Sequence, residues 1–396
     1  MKPFTLAATL SALALAPLAA DAADRIVVLS DTMPKENART VLAQSKYIMS
    51  QLQPGDTLTF LNGPEGREIA RLDLSDTQTA EDILSSKRKT NQFFSGALQS
   101  VQDFAVSAAK KAEKLDADAV PMQVNLPGVL HNLTIHASKT PDVLVFGSLR
   151  YHDPRLPAYS MAHSFPNDAH VFYTPSETPF GAAGRDGQLE GTRVHFCDLD
   201  QGYVKEMQRL GLERATGLLV QGYGATFANA TSDVAQCVRS GLAGHVDATK
   251  SYTPDQSDRT VRIYNALHTG QMPASTSQEQ NALFNRLDLP QDQKAELANL
   301  MSQKRVMLAE VYLYDTASSD GDVVALISGK VRFDVPLTHK KTRVVVPITD
   351  GKLVMQGVHD GGGGITVGLR TQDGDELTSP VMRVGQTVEV PFVSSL

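Results

Sequence analysis

The stretch Arg25 to Asp31 reads RIVVLSD, an apolar run without alternation that ends in a carboxylate. Such runs form strands covered on both faces. The next apolar positions, Ala38, Val41, Leu42, Ser45, Ile48, Met49 and Leu52, recur at helical spacing. Pro54-Gly55-Asp56 ends that helix, and Asp56 to Leu61 predicts a second strand. The turn residues Asn62-Gly63-Pro64-Glu65-Gly66 lead into a third strand, Glu68 to Leu74. A long helical zone follows from Thr79 to about Leu115, with Phe93, Leu98, Val101 and Phe104 as its apolar contacts, and a shorter one spans Leu126 to Ala137. Asp142 to Gly147 (DVLVFG) is apolar throughout, as a central strand should be. After a Pro-containing loop from His152 to Pro166 come a short strand at Val171–Tyr173 and a strand at Thr192–Asp198. Helices follow, with a β piece near Ala225–Ala228 and a last helix near Ser232–Ser240.

Alternation of strands and helices predicts an α/β unit: a doubly wound, mostly parallel sheet with helices on both faces. Ligands in such folds sit beyond the carboxyl ends of the strands. Attention therefore goes to Asp31, Gly147-Ser148 and Asp198.

From Arg305 the period changes to two. Strands are predicted at Leu308–Tyr314, Val323–Ser328, Val331–Leu337, Thr342–Ile348, Lys352–Val358, Ile365–Arg370 and Thr387–Phe392. With no helix among them they predict an all-β sandwich. Between the two regions lies a polar stretch, with a helix predicted over Thr276–Lys304. The expected organisation is a signal peptide over 1–22, the α/β domain over 23–245, a helical polar connector over 246–304 and the sandwich over 305–396.

Composition narrows the setting. Hydrophobic residues make up 41% and charged residues 20%, so a sizeable core can be buried. A net charge of −7 argues against nucleic acid and anionic membrane as partners. Lys2, the apolar run Leu6–Leu18 and Ala20-Asp21-Ala22 form the three zones of a signal peptide cut before Ala23. That run is too short for the ~20 residues of a membrane span. Export to the periplasm or beyond is expected, with no membrane span in the mature chain. In that oxidising setting Cys197 and Cys237 are expected to form a disulfide. Closing a loop of about forty residues stabilises by roughly 4 kcal/mol in the chain-entropy model.

Three features carry a family resemblance: the strand ending in Asp31 with its amphipathic helix and hairpin, Thr90-Asn91 ahead of Gly96-Ala97-Leu98, and the buried strand Asp142–Gly147. The region from about Arg25 to Gly241 resembles a von Willebrand factor type A domain. That implies a binding face at the top of the sheet. Cation-binding members use an Asp-x-Ser-x-Ser loop, a Thr from a second loop and an Asp from a third. Here the first loop reads Asp31-Thr32-Met33-Pro34-Lys35, with a thioether and an ammonium at the two serine positions. Thr90 stands for the Thr; the third loop offers Ser148 and, beyond a His, Asp153. The metal candidates Asp31, Thr90, Ser148 and Asp153 form a degenerate set that is not expected to hold Mg²⁺ in the usual way. The expected binding face consists of Asp31, Thr32, Lys35, Thr90 and Ser148. An Asp at a strand end also caps helices well, which is the simpler role for Asp31.

No G-x-S-x-G, H-E-x-x-H, Walker or G-x-G-x-x-G motif occurs. The histidines, among them His131, His136, His163 and His170, are read as surface or packing residues, and no cofactor is expected. In the sandwich, Asp360-Gly361-Gly362-Gly363-Gly364 reads as a long flexible hairpin or bulged edge; the other reading is a loop whose amides, with Asp360, hold a ligand. Asp320, Asp322, Asp373 and Asp375 flank glycines in two Asp-Gly-Asp turns, residues that tight turns prefer. They also resemble carboxylates of sandwich domains that bind Ca²⁺ between loops. The functional expectation is a non-catalytic interaction module whose partner is another envelope protein. Two alternatives stay open: an envelope hydrolase centred near Asp31, Ser148 and Asp153, and a structural accessory of a secretion or transfer apparatus.

Overall fold

The computed structural model describes residues 23–53, 55–74, 83–115, 122–136, 140–151, 160–161, 164–200, 202, 206–243, 249–264, 267–269, 277–372 and 374–394, with side chains from residue 94 onward in the helix that begins at Ile83. The signal segment 1–22, the side chain of Thr90, and Asp153, His163 and Asp373 lie outside the described residues.

The first apolar run forms β1 (Asp24–Leu29), followed by α1 (Lys35–Ser50), β2 (Thr57–Asn62), β3 (Glu68–Asp73), α2 (Ile83–Ala112), α3 (Leu126–His136) and β4 (Asp142–Gly147). A two-residue β5 (Ser164–Phe165) and a 3₁₀ turn at Asp168–Phe172 precede β6 (Arg193–Asp198), α4 (Glu206–Gly222), β7 (Thr226–Thr231) and α5 (Val234–Ala243). Val171 and Phe172 thus lie in a 3₁₀ turn rather than the predicted short strand, with Ala169 donating to the Asp258 carbonyl at 3.3 Å.

Six strands form one sheet in the order β3-β2-β1-β4-β6-β7. All neighbours are parallel except β3, which runs antiparallel to β2. Every residue of the central β4 is buried. One face packs Val27, Leu29, Leu144 and Phe146 against α1, α2 and α5; the other packs Ile26, Val28, Val143 and Val145 against α3 and α4. Alternate side chains of one strand thus feed two cores, which is why β1 and β4 are apolar without alternation. Cys197 of β6 and Cys237 of α5 form the disulfide, their Cα atoms 5.5 Å apart.

Downstream come β8 (Thr260–Ile263), β9 (Leu267–Thr269), α6 (Ser277–Arg286) and α7 (Gln291–Ser302). The one helix predicted over Thr276–Lys304 is divided at Leu287–Pro290. Pro290, at the N-cap of α7, has no N–H with which to continue α6. Then follow β10 (Val306–Tyr314), β11 (Val323–Ser328), β12 (Val331–Pro336), β13 (Thr342–Thr349), β14 (Lys352–His359), β15 (Gly368–Thr371), β16 (Glu376–Thr378) and β17 (Thr387–Ser394). Ile365, predicted to begin a strand, makes only an isolated bridge to Met382.

These strands build a curled sheet in the order β16-β15-β10-β13-β14-β17-β8-β5, with β11 paired to β14, β12 paired to β11, and β9 paired to β17. Side chains from most of its strands meet in one core, including Val311, Leu326, Val346, Met355 and Val390. β8 lies parallel to β17, and β5 lies antiparallel to β8. The polar connector and a loop of the α/β region thereby supply strands to the C-terminal sheet. No described helix is long and apolar enough to cross a membrane.

Candidate functional site

The carboxyl ends of β1, β4 and β6 meet at the top of the parallel sheet. Backbone bonds stitch this edge together. Met122 donates from its N–H to the Thr32 carbonyl at 2.7 Å, and its own carbonyl accepts from Ser148 N–H at 2.7 Å. Asn37, in the first turn of α1, donates to the Leu199 carbonyl at 3.1 Å. Ser30 and Thr32 are both buried, and Ser30 Oγ accepts from the Thr32 N–H at 3.3 Å.

The polar side chains here are already neutralised. Ser148 Oγ donates to Asp200 Oδ2 at 2.5 Å and accepts from the Arg150 N–H at 2.9 Å. Arg150 grips Asp200 with two donors, Nε to Oδ2 at 2.6 Å and Nη2 to Oδ1 at 2.7 Å. Gly202 N–H adds a fourth donor to Asp200 at 2.7 Å. The Asp200 side chain is 1% exposed and that of Arg150 12%. A planar guanidinium on a buried carboxylate is the geometry in which both charges stay satisfied.

Asp31 does not cap α1. Pro34 occupies the N-cap, and no side chain bonds there. The Asp31 carboxylate instead accepts from Lys111 Nζ, near the C-terminus of α2, at 2.7 Å. Met33 is fully buried, in the core cluster that also holds Ala105 and Ala108 of α2. Lys35 is exposed at the first residue of α1. Of the predicted binding residues, Asp31, Thr32, Lys35 and Ser148 therefore cluster on the first and third loops. The sequence reading missed Lys111, Arg150 and Asp200. Arg150 lies two residues from Ser148 and was within reach; Lys111 sits in a long Lys- and Ala-rich helix that gives no sign of its target.

Of the described histidines, His170 and His195 are buried, whereas His131, His339 and His359 are exposed. His195 is buried in β6, and burial lowers its pKa. His170 is fully enclosed between Asn167 Oδ1, 2.8 Å from Nδ1, and the Val381 carbonyl, 3.3 Å from Nε2. Burial, followed by the nearby Arg383, holds its pKa down at about 4 against the lifting effect of its backbone contacts and Asp258.

A second polar cluster stands in the C-terminal sheet. Asp315, Asp320 and Asp322 bring a carboxylate oxygen each within 4.8 Å of one another. Asp375 is not in this group, so the two Asp-Gly-Asp turns do not converge as a four-carboxylate set among the described residues. The glycine run packs on the cluster: Gly361 N–H donates to Asp322 Oδ1 at 3.0 Å. A Cβ at Gly361 would lie 2.1 Å from the Asp320 carbonyl oxygen, so no other residue fits without displacing that loop. Asp360 accepts from the Gly362 and Gly364 amides at 2.9 and 3.0 Å, and its other oxygen takes Arg383 at 3.1 Å. The run predicted as a flexible hairpin is therefore pinned at both ends of its length. Burial raises Asp322 to a pKa of about 6, the amides of Gly361 and Thr366 work against that rise, and Asp320 and Asp315 add to it.

No protein-family model matches the chain, and no curated protein matches it either.

Proposed function

We propose that this chain is an exported, non-catalytic recognition protein of a bacterial-type cell envelope, built from a von Willebrand factor type A-like domain and a C-terminal β-sandwich. The type A-like reading draws its support from the strand order β3-β2-β1-β4-β6-β7 with β3 alone antiparallel. The sandwich reading is supported by the near-absence of pairing between β13 and β14, which touch only at Thr349 and Lys352, while side chains of both enter one core. The mature chain then starts at Ala23, and its disulfide suits an oxidising compartment.

One observation carries the functional reading. At the top of the sheet, where the family's cation sits, the acidic side chains Asp31 and Asp200 are bound to the chain's own Lys111 and Arg150. With both of these carboxylates matched internally, neither is open to Mg²⁺, so recognition proceeds by shape and by exposed groups such as Lys35. The natural partner is another envelope protein.

The test immobilises the mature chain and challenges it with envelope extract, with the Lys35→Glu variant in parallel. A protein retained by the parent and lost with Lys35→Glu is the expected result. Retention of the same set by both, or of nothing specific by either, overturns the reading. So does micromolar Mg²⁺ or Mn²⁺ binding that disappears in Asp31→Ala.

A further inference from the structure

The loop joining β10 to β11 runs from Asp315 to Asp322. Each of its carboxylates is held by hydrogen bonds that fix its direction. Asp315 Oδ1 accepts from Thr366 Oγ1 at 2.6 Å and from the Ala317 N–H at 2.9 Å. Asp320 Oδ2 accepts from Ser318 Oγ at 2.8 Å. Asp322 accepts from the amides of Gly361 and Thr366 at 3.0 and 3.2 Å. Neutral donors orient these groups but leave their charge in place.

The remaining valences are open. Asp315 is 2% exposed, yet its Oδ2 has no hydrogen-bond partner. Asp320 Oδ1 and the neighbouring Thr316 Oγ1 are likewise buried without partners. No ion pair reaches Asp315, Asp320 or Asp322 among the described residues, whereas the buried Asp56, Asp142, Asp168, Asp200, Glu213 and Glu310 are each paired with an Arg or Lys. These six buried acids are each matched by a cation of the chain, and the Asp315, Asp320 and Asp322 group is not, among the described residues. A buried carboxylate oxygen with no partner is costly unless something else completes it.

We infer that the Asp315, Asp320 and Asp322 loop, backed by the glycine run at Gly361, is a binding site for a hard divalent cation, Ca²⁺ by preference. The ligands are all oxygen, which excludes the soft metals. They come from an irregular loop at spacings of five and two residues, so the cage bends to the ion. Ca²⁺ tolerates that with six to eight oxygens at about 2.3–2.6 Å, waters included, whereas Mg²⁺ demands near-ideal octahedral geometry. The donors on the outer carboxylate oxygens are the supporting contacts that metal sites use to aim their ligands. Gly361 admits the approach of the two loops. The site is remote in sequence from the sheet top, and it stands whether or not that surface binds a partner.

The experiment uses the full mature chain stripped with a chelator and titrated with CaCl₂, read by calorimetry and by thermal melting. Saturable binding with a Kd of roughly 10⁻⁵ to 10⁻³ M is expected, with a melting temperature that climbs as Ca²⁺ is added. MgCl₂ binds at least tenfold more weakly. Asp320→Asn, chosen because this residue is the most exposed of the three, loses tenfold or more in Ca²⁺ affinity while its metal-free form melts no lower than the parent. Asp315→Asn gives the same loss by a second route, and Asp375→Asn keeps parental affinity. The inference is overturned if the parent shows neither heat nor a melting shift at about 10 mM Ca²⁺, well above the weakest extracellular sites. It is equally overturned if Asp320→Asn and Asp315→Asn bind as the parent does, or if Asp375→Asn alone abolishes binding.

Discussion

Two acidic clusters lie at strand ends in this molecule, and they are finished in opposite ways. At the top of the parallel sheet, Asp200 is clasped by Arg150 and Asp31 meets Lys111. In the β10–β11 loop, three carboxylates gather, and none of them forms an ion pair among the described residues. Acid content alone therefore says little about what a cluster does. What decides is whether the counter-charge belongs to the fold or has to arrive from outside. A guanidinium supplied internally makes a structural joint; an open set of oxygens makes a receptor.

The largest blow to this comparison comes from Arg150→Met. Asp200 is then left buried without its partner, and about 3–5 kcal/mol of stability is expected to go, measured by urea denaturation. A loss below about 1 kcal/mol would mean that the pair behaves like a surface bridge and the contrast is false. Combining Arg150→Met with Asp200→Leu is expected to recover part of the loss, because an apolar pair leaves no stranded charge.

Next in size is the effect of acid on the seam between the regions. His170 contacts the Val381 carbonyl across that seam, and its pKa falls from 6.5 to about 4. The folded protein thus holds fewer protons than the unfolded chain between those values. Its contribution is complete above pH 6.5 and is lost as pH drops toward 4. Melts of the parent and His170→Gln between pH 7 and 4.5 should diverge, the parent losing more on acidification. Parallel curves would place the ring outside the energetics of the seam. The smallest effect belongs to Lys111→Ala. Its side chain is 55% exposed, so loss of the Asp31 bridge should cost no more than about 1 kcal/mol in the same denaturation assay.

The strands and helices were largely legible because periodicity reports burial. β11 was predicted to the residue at Val323–Ser328, and the apolar DVLVFG run gave β4 at Asp142–Gly147. Errors arose where one residue overrode the pattern. Pro290 cut a helical stretch that otherwise continued, and the glycines before Ile365 left it a single bridge instead of a strand. The sites were less legible because their parts are distant. Arg150 and Asp200 are fifty residues apart, and Lys111 is eighty from Asp31. Asp315 was hidden differently: it ends a strand, whereas the glycine-flanked Asp320 and Asp322 look like ordinary turn residues. Only Thr366 and Gly361, reaching in from the far loop, mark the three as one group.

The pairing of β8 with β17 has a consequence for assembly. Thr260 of the earlier strand faces Thr387 of the later one, in a parallel register that no hairpin can make locally. During N-to-C synthesis, β8 emerges well before the strand that shields its edge. Until then its amides and carbonyls are an open template for foreign strands. A fragment stopping short of β17 should therefore clump even though its parallel sheet is intact, and a transient guard over that edge would be useful while the chain is still emerging.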